Sequence, residues 1–231
     1  MPPWFLDELA HAGPEHVDQE YARDYDRKSP TDWSGDVELL RRLGLDRDST
    51  LVDLGAGSGA FALAAAPLCR RVVAVDVSPA MIAVMRAAAA ERGITNVECV
   101  QAGFLSYAHR DEPADAVYSR NALHHLPDFW KALALRRIAS ILRPGGAFRL
   151  RDLVYSSDLD QVEADLEAWL AGAPAQAAVG WTRPEYELHL RTEHSTFSWL
   201  LEPMLERAGF RIESAEHHPS RVFAAYTCRK R

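Results

Sequence analysis

The 231-residue chain is short of cysteine, of long apolar runs and of positive charge, and each shortage removes a class of function. Its three cysteines, Cys69, Cys99 and Cys228, lie far apart and form no C-x-x-C pair. Neither a disulfide framework nor a structural zinc site is therefore expected, and the thiols read as buried groups in a reducing cytoplasm. No run of about 18 apolar residues occurs, so no membrane-spanning helix is expected. The opening MPPWFLDELAHAG carries acids and no basic stretch, unlike a secretory leader. With 26 Lys and Arg against 33 Asp and Glu the net charge is −7, which disfavours phosphate-neutralising contact with nucleic acid. The terminal CRKR is too short to reverse that balance.

What remains is an ordinary globular composition, 48% hydrophobic and 26% charged. Ser49 to Gly55 reads as a short buried strand entering a tight turn, and Arg71 to Ser78 as a second strand with a continuous apolar run. SPAMIAVMRAAAAERG follows as a helix, with Ser78 as N-cap, Pro79 in the first turn and Gly93 at its end. NVECVQAG and ADAVYSRN supply strands three and four. A helix then runs from about Asp128 to Leu142, and GAFRLRDLVYS is a fifth strand. Leu159, Val162, Leu166, Trp169 and Leu170 have the spacing of an amphipathic helix, and 171–180 reads as a small-residue lid loop. A further helix is expected over STFSWLLEPMLERAG, capped by Ser195 or Thr196 and kinked or opened by Pro203. FRIESAE and RVFAAYTC close the sheet as an antiparallel pair. The order predicts an α/β, doubly wound, mostly parallel seven-stranded sheet with a C-terminal antiparallel hairpin.

In the stretch TLVDLGAGSGAF, Gly55, Gly57 and Ala60 satisfy G-x-G-x-x-G/A, and Asp76 lies 21 positions after Gly55. Alone this pattern leaves two cofactors open, a nicotinamide dinucleotide or S-adenosylmethionine. Asp53 separates them. A carboxylate at the end of the first strand opposes a dianionic pyrophosphate and attracts an ammonium and a sulfonium.

VDLGAGSG, VVAVDVS, ALHHLPD and ILRPGG, in this order, resemble the class I S-adenosylmethionine-dependent methyltransferases, with a UbiE-like methyltransferase domain. The resemblance spans about residues 20 to 228. It implies that Gly55, Ala56 and Gly57 wrap the methionine portion while Asp53 faces its ammonium. Asp76 would take the ribose hydroxyls, Val77 and Met81 would flank the adenine, and Asn121 would offer a backbone carbonyl. The family commonly places an acid after the third strand for the adenine amino group. Here that place reads Ala102–Gly103–Phe104, so Gly103 and Phe104 are left to line the adenine. The resemblance further implies a helical lid over residues 1–35, with Tyr25 over the cofactor and Trp33 a weaker candidate. The methyltransferase domain would span 36–231, with a substrate-pocket insertion at about 157–200.

Methyl transfer needs a general base only where the acceptor atom carries a proton at neutral pH. His124 and His125, after the fourth strand, are the candidate bases; His217 and His218 fall in the hairpin, far from the cofactor. The segment Trp181 to Trp199 is dense in polar and aromatic side chains. From it Tyr186, Glu193, His194 and Trp199 are the candidate acceptor contacts, with His189 and Arg191 nearby. No metal-ligand spacing is seen. The expected partner is a small-molecule acceptor. RNA and protein acceptors, a non-catalytic cofactor-binding protein and an oxidoreductase stay as rivals, and a homodimer stays open.

Overall fold

The computed structural model describes residues 2–13, 31–176 and 180–231. The parallel strands β1 (Thr50–Leu54), β2 (Arg71–Asp76), β3 (Val97–Gln101) and β4 (Ala114–Arg120) are followed by the long β5 (Leu142–Tyr155). β6 (Thr196–Phe197) is a two-residue strand, and β7 (Phe210–His217) with β8 (Phe223–Lys230) forms the antiparallel closure. The order across the sheet is β3-β2-β1-β4-β5-β8-β7, with β6 paired to β5 off this path. The chain thus winds outward from β1 to β3 and then restarts on the other side at β4, which opens a crevice at the carboxyl ends of β1 and β4.

Period-2 alternation explains why β1 and β2 are apolar on both faces. Val52, Leu54, Val73 and Val75 enter one core, while Leu51, Val72 and Ala74 enter the other. The first core is covered by α4 (Asp128–Ile141), through Ala134, Leu135 and Ile138, and by α7 (Ser198–Ala208), through Leu201 and Leu205. The second is covered by α1 (Ser34–Arg42), α2 (Ala60–Ala65) and α3 (Pro79–Glu91), through Leu40, Phe61, Ile82 and Met85. The Ser78 hydroxyl accepts from Met81 N at 3.1 Å, and Pro79 opens α3, as the sequence pattern requires.

Two local expectations are corrected and one element is added. The C-terminal helix starts at Ser198 rather than at Ser195 or Thr196, because Thr196 and Phe197 pair with Val154 and Tyr155 and so extend the sheet. Pro203 sits inside α7, the interior one of its two expected placements. The helix predicted from Leu159 is α5 (Val162–Ala171), of which only Leu170 is buried; Leu159 is exposed. A further helix, α6 (Arg183–Thr192), occupies the segment read only as rich in functional side chains. Of the predicted N-terminal lid, the described residues 2–13 hold only a single turn, Leu9–His11. Tyr25 lies outside the described residues, as does part of the 171–180 loop. Among the described residues no helix is long and apolar enough to cross a membrane.

Candidate functional site

The turn after β1 is shaped by glycine. Gly55 has φ +72°, and a Cβ there would collide with Ala122, so the β1 turn and the residues after β4 can close only without a side chain at 55. Gly57 N donates to Asp76 Oδ2 at 2.8 Å, and Ser78 N to Asp76 Oδ1 at 2.8 Å, which fixes the β2 carboxylate at the rim. Asn121 leaves β4 at φ +49°, a left-handed conformation that asparagine tolerates better than most residues, with its N–H on the Arg151 carbonyl at 2.8 Å.

These turns enclose a crevice of about 1090 Å³, counted with its open mouth. Asp53, Gly55, Ala56, Gly57, Asp76, Val77, Met81, Gly103, Phe104 and Asn121 all line it, and so does His125. Asp53 is buried, and its Oδ2 has no hydrogen-bond partner among the described residues. Burial, and then the Asp76 charge, hold its pKa well above the usual carboxylate range. A buried, orphaned carboxylate oxygen facing a crevice is a seat for a cationic donor. Burial raises Asp76 as well, against the hydrogen bonds from the Ser78 and Gly57 backbone.

Sequence reasoning missed Glu8. Its carboxylate accepts from Leu105 N at 2.8 Å and from Ser106 Oγ at 2.8 Å, and it lines the crevice beside Gly103. A Cβ at 103 would strike this carboxylate. The acid missing after β3 is therefore matched by one that arrives from the chain's start, into space that only glycine leaves. Tyr118 and Arg120 were also missed. Tyr118 stacks on Phe61 at 3.6 Å, Trp33 meets Phe61 edge-on at 5.7 Å, and the Arg120 guanidinium lies 4.9 Å over Trp33. Together they make an aromatic wall with one cation above three carboxylates.

A polar cluster lies behind His125. His124 does not line the crevice; its Nδ1 lies 2.5 Å from Asp152 Oδ1, buried on the β5 side. Asp152 also accepts from Leu123 N and Leu153 N, and its pKa stays below the usual range because His124 and these donors outweigh its burial. His125 Nδ1 pairs with Glu193 Oε2 at 2.7 Å. His189 stands edge-on to His124, with Nε2 3.0 Å from Ser195 Oγ; burial lowers its pKa to about 4, so the ring is neutral at pH 7. Lys131, itself buried, holds the 193–196 segment in place by donating to the His194 carbonyl and to Asp128. Glu193 thus meets the crevice only through His125, which lines it. None of the four predicted acceptor contacts is itself part of the crevice lining. Tyr186 lies tilted against Trp169 at 4.2 Å, Trp199 is exposed beside Phe197, and the His194 ring lies near His11.

Residues 51–146 match the family described as Methyltransferase domain. Over that stretch the chain is a methyltransferase domain, similar to those that use S-adenosylmethionine. This methyltransferase domain is 35% identical over 102 residues to the uncharacterized methyltransferase YcgJ of Bacillus subtilis, covering 44% of this chain and 40% of that protein. The solved YcgJ structure superposes with a TM-score of 0.63 at 18% identity, over 85% of this chain and 98% of that one. A second relative, the uncharacterized methyltransferase C70.08c of Schizosaccharomyces pombe, is 26% identical over 200 residues, 85% of this chain and 72% of that protein. The fold is also shared with the [4+2]-cyclase SpnF, at a TM-score of 0.63 and 17% identity over 93% and 96% of the two chains. The sequence match to YcgJ spans less than half of that relative's length.

Proposed function

We propose that this chain transfers a methyl group from S-adenosylmethionine to a small-molecule acceptor whose reacting heteroatom carries a proton. The observation that carries the reading is the crevice itself, where Asp53 presents an orphaned oxygen and Asp76 and Glu8 add two more carboxylates against one cation, Arg120. Such a lining favours a cationic, phosphate-free cofactor and opposes a pyrophosphate. S-adenosylmethionine supplies, when bound, a methyl group made electrophilic by its sulfonium.

The chain's own residues do the rest. Asp53 would hold the ammonium and Asp76 the ribose, with the Gly55–Gly57 backbone against the methionine portion. Val77, Met81 and Phe104 give the adenine an apolar slot, and Glu8 beside Gly103 gives its amino group an acceptor. On the acceptor side His125 lines the crevice with its Nδ1 paired to Glu193, and it is the base that takes the acceptor's proton. Trp33, Phe61 and Tyr118 exclude water from the opposite wall.

Calorimetric titration with S-adenosylhomocysteine and with NAD tests the cofactor, on the native chain and on Asp53→Ala and Asp76→Ala. Binding of the adenosyl ligand alone, weakened in both variants, supports the reading, and preference for NAD would overturn it. Labelled-methyl turnover with a panel of phenols, alcohols and amines then tests the acceptor class. Cofactor binding without methyl transfer is the competing outcome, and absence of turnover across the panel would favour it.

A further inference from the structure

The polar cluster behind His125 gathers side chains that are distant in sequence. One ring nitrogen each of His124 and His125 and one Glu193 carboxylate oxygen lie within 4.8 Å of one another. His124 and Glu193 are separated by 69 positions, so no sequence spacing announces the group. His124 gives its Nδ1 side to Asp152, and Asp152 is in turn held by the backbone N–H groups of Leu123 and Leu153. This leaves Nε2 of His124 with the lone pair. A carboxylate behind an imidazole is the arrangement that fixes the tautomer and orientation of metal-bound histidines.

We infer that His124, His125 and Glu193 form a binding site for a divalent transition-metal ion. Two imidazoles and one carboxylate suit zinc, iron(II), cobalt(II) or nickel(II), and suit magnesium or calcium poorly. Around a tetrahedral ion with bonds of about 2.1 Å the ligand atoms stand roughly 3.4 Å apart, so the trio needs small side-chain adjustments to seat an ion. Rotation of the His125 side chain, which lines the crevice, and of the partly exposed Glu193 side chain can supply that movement. Three protein ligands leave a coordination position for water or an acceptor oxygen, as in catalytic rather than structural sites. Binding must displace the proton shared by His125 and Glu193, and is therefore accompanied by proton release. The site goes beyond the methyl-transfer reading, and its test requires no turnover.

The test uses the full chain, stripped with a chelator and titrated with zinc chloride by calorimetry and with cobalt(II) chloride by visible absorption, without methyl donor. One saturating equivalent, with the intense visible bands of low-coordinate cobalt, is expected. Glu193→Gln and His125→Asn should each weaken zinc binding by more than the ~10–100-fold typical of losing a supporting carboxylate, and Asp152→Asn should fall within that range. His218→Asn, on the exposed hairpin turn, should bind as the native chain does. S-adenosylhomocysteine binding by each variant reports that it is folded. No saturable binding of either ion by the native chain overturns the site, whatever the variants do. Binding that survives both Glu193→Gln and His125→Asn overturns it too, since the ion then sits elsewhere.

Discussion

The carboxylate of Glu8 accepts the backbone N–H of Leu105 at 2.8 Å, a contact across 97 positions that lashes the start of the chain to the loop after β3. With Ser106 Oγ on its other oxygen, the carboxylate is oriented before any ligand arrives. Each oxygen keeps a lone pair for a further donor. Glu8→Gln should therefore weaken S-adenosylhomocysteine binding about tenfold, near the value of one charge-assisted hydrogen bond. The native chain should also discriminate against S-inosylhomocysteine, whose ring oxygen would face a carboxylate, and Glu8→Gln should narrow that preference. Equal losses for the two ligands would make Glu8 a strut and nothing more.

Asp53 carries a pH prediction. Its pKa in the ligand-free chain is raised by burial and by Asp76, so below that raised pKa the group holds a proton. A cationic ligand favours the carboxylate, and binding must then release the proton. Affinity should rise with pH until the raised pKa is passed and be level above it. Calorimetry in two buffers of different ionisation enthalpy counts the protons directly. A buffer-independent enthalpy across acid and neutral pH would show that Asp53 does not change state.

How much of this was legible in the sequence follows from distance along the chain. The cofactor end is made by single strand-turn-helix units, and the Gly55, Asp76 and Ser78 requirements are local. The acceptor side is assembled from the segments around His124, Lys131, Asp152, His189 and Glu193, and no periodicity reports that they meet. Thr196 and Phe197 fit a helix start, yet pairing with Val154 and Tyr155 wins because it satisfies the open edge of β5 where that strand outruns β4. One missed element did carry a signal. Thr182 and Glu185 form a capping box, with Thr182 N on Glu185 Oε2 at 2.7 Å and Pro184 in the first turn, which marks the start of α6. Glu8 had none, since a contact across 97 positions leaves no local trace.

A buried charge network under the aromatic wall sets a stability prediction. Asp36 accepts from the Tyr118 hydroxyl at 2.8 Å and from Arg151 Nη1 at 2.7 Å, with Arg149 Nε 3.5 Å away. Removing one partner of a buried ion pair strands the others, at a cost of about 3–5 kcal/mol. Arg149 keeps Glu216 and Thr227, so Asp36→Ala should fall at the low end, about 3 kcal/mol. For a chain of this length that is a fall in Tm of roughly 6–12 °C. A fall of only a degree or two in a thermal scan would mean that water replaces Asp36 without loss.

Lys131 tests whether the acceptor wall is positioned or merely packed. Its ammonium is buried between Asp128 and the His194 carbonyl, and Asp128 also takes the Thr196 hydroxyl at 3.1 Å, so one lysine anchors both ends of the segment next to Glu193. Lys131→Met keeps most of the side-chain volume and removes the donors, leaving the His194 carbonyl short of a partner at about 1–3 kcal/mol. The loss should be local. Amide hydrogen exchange at 193–197 should quicken while exchange in β1 and β2 is unchanged, because those strands do not touch the anchor. S-adenosylhomocysteine affinity should stay within about twofold of native, since none of the cofactor-side residues moves. Turnover of any acceptor found should drop, with little change in cofactor KM, because Glu193 no longer holds His125 in one orientation. Unchanged exchange at 193–197 would place the anchor elsewhere, in the β6 pairing with β5 that already crosses the same segment.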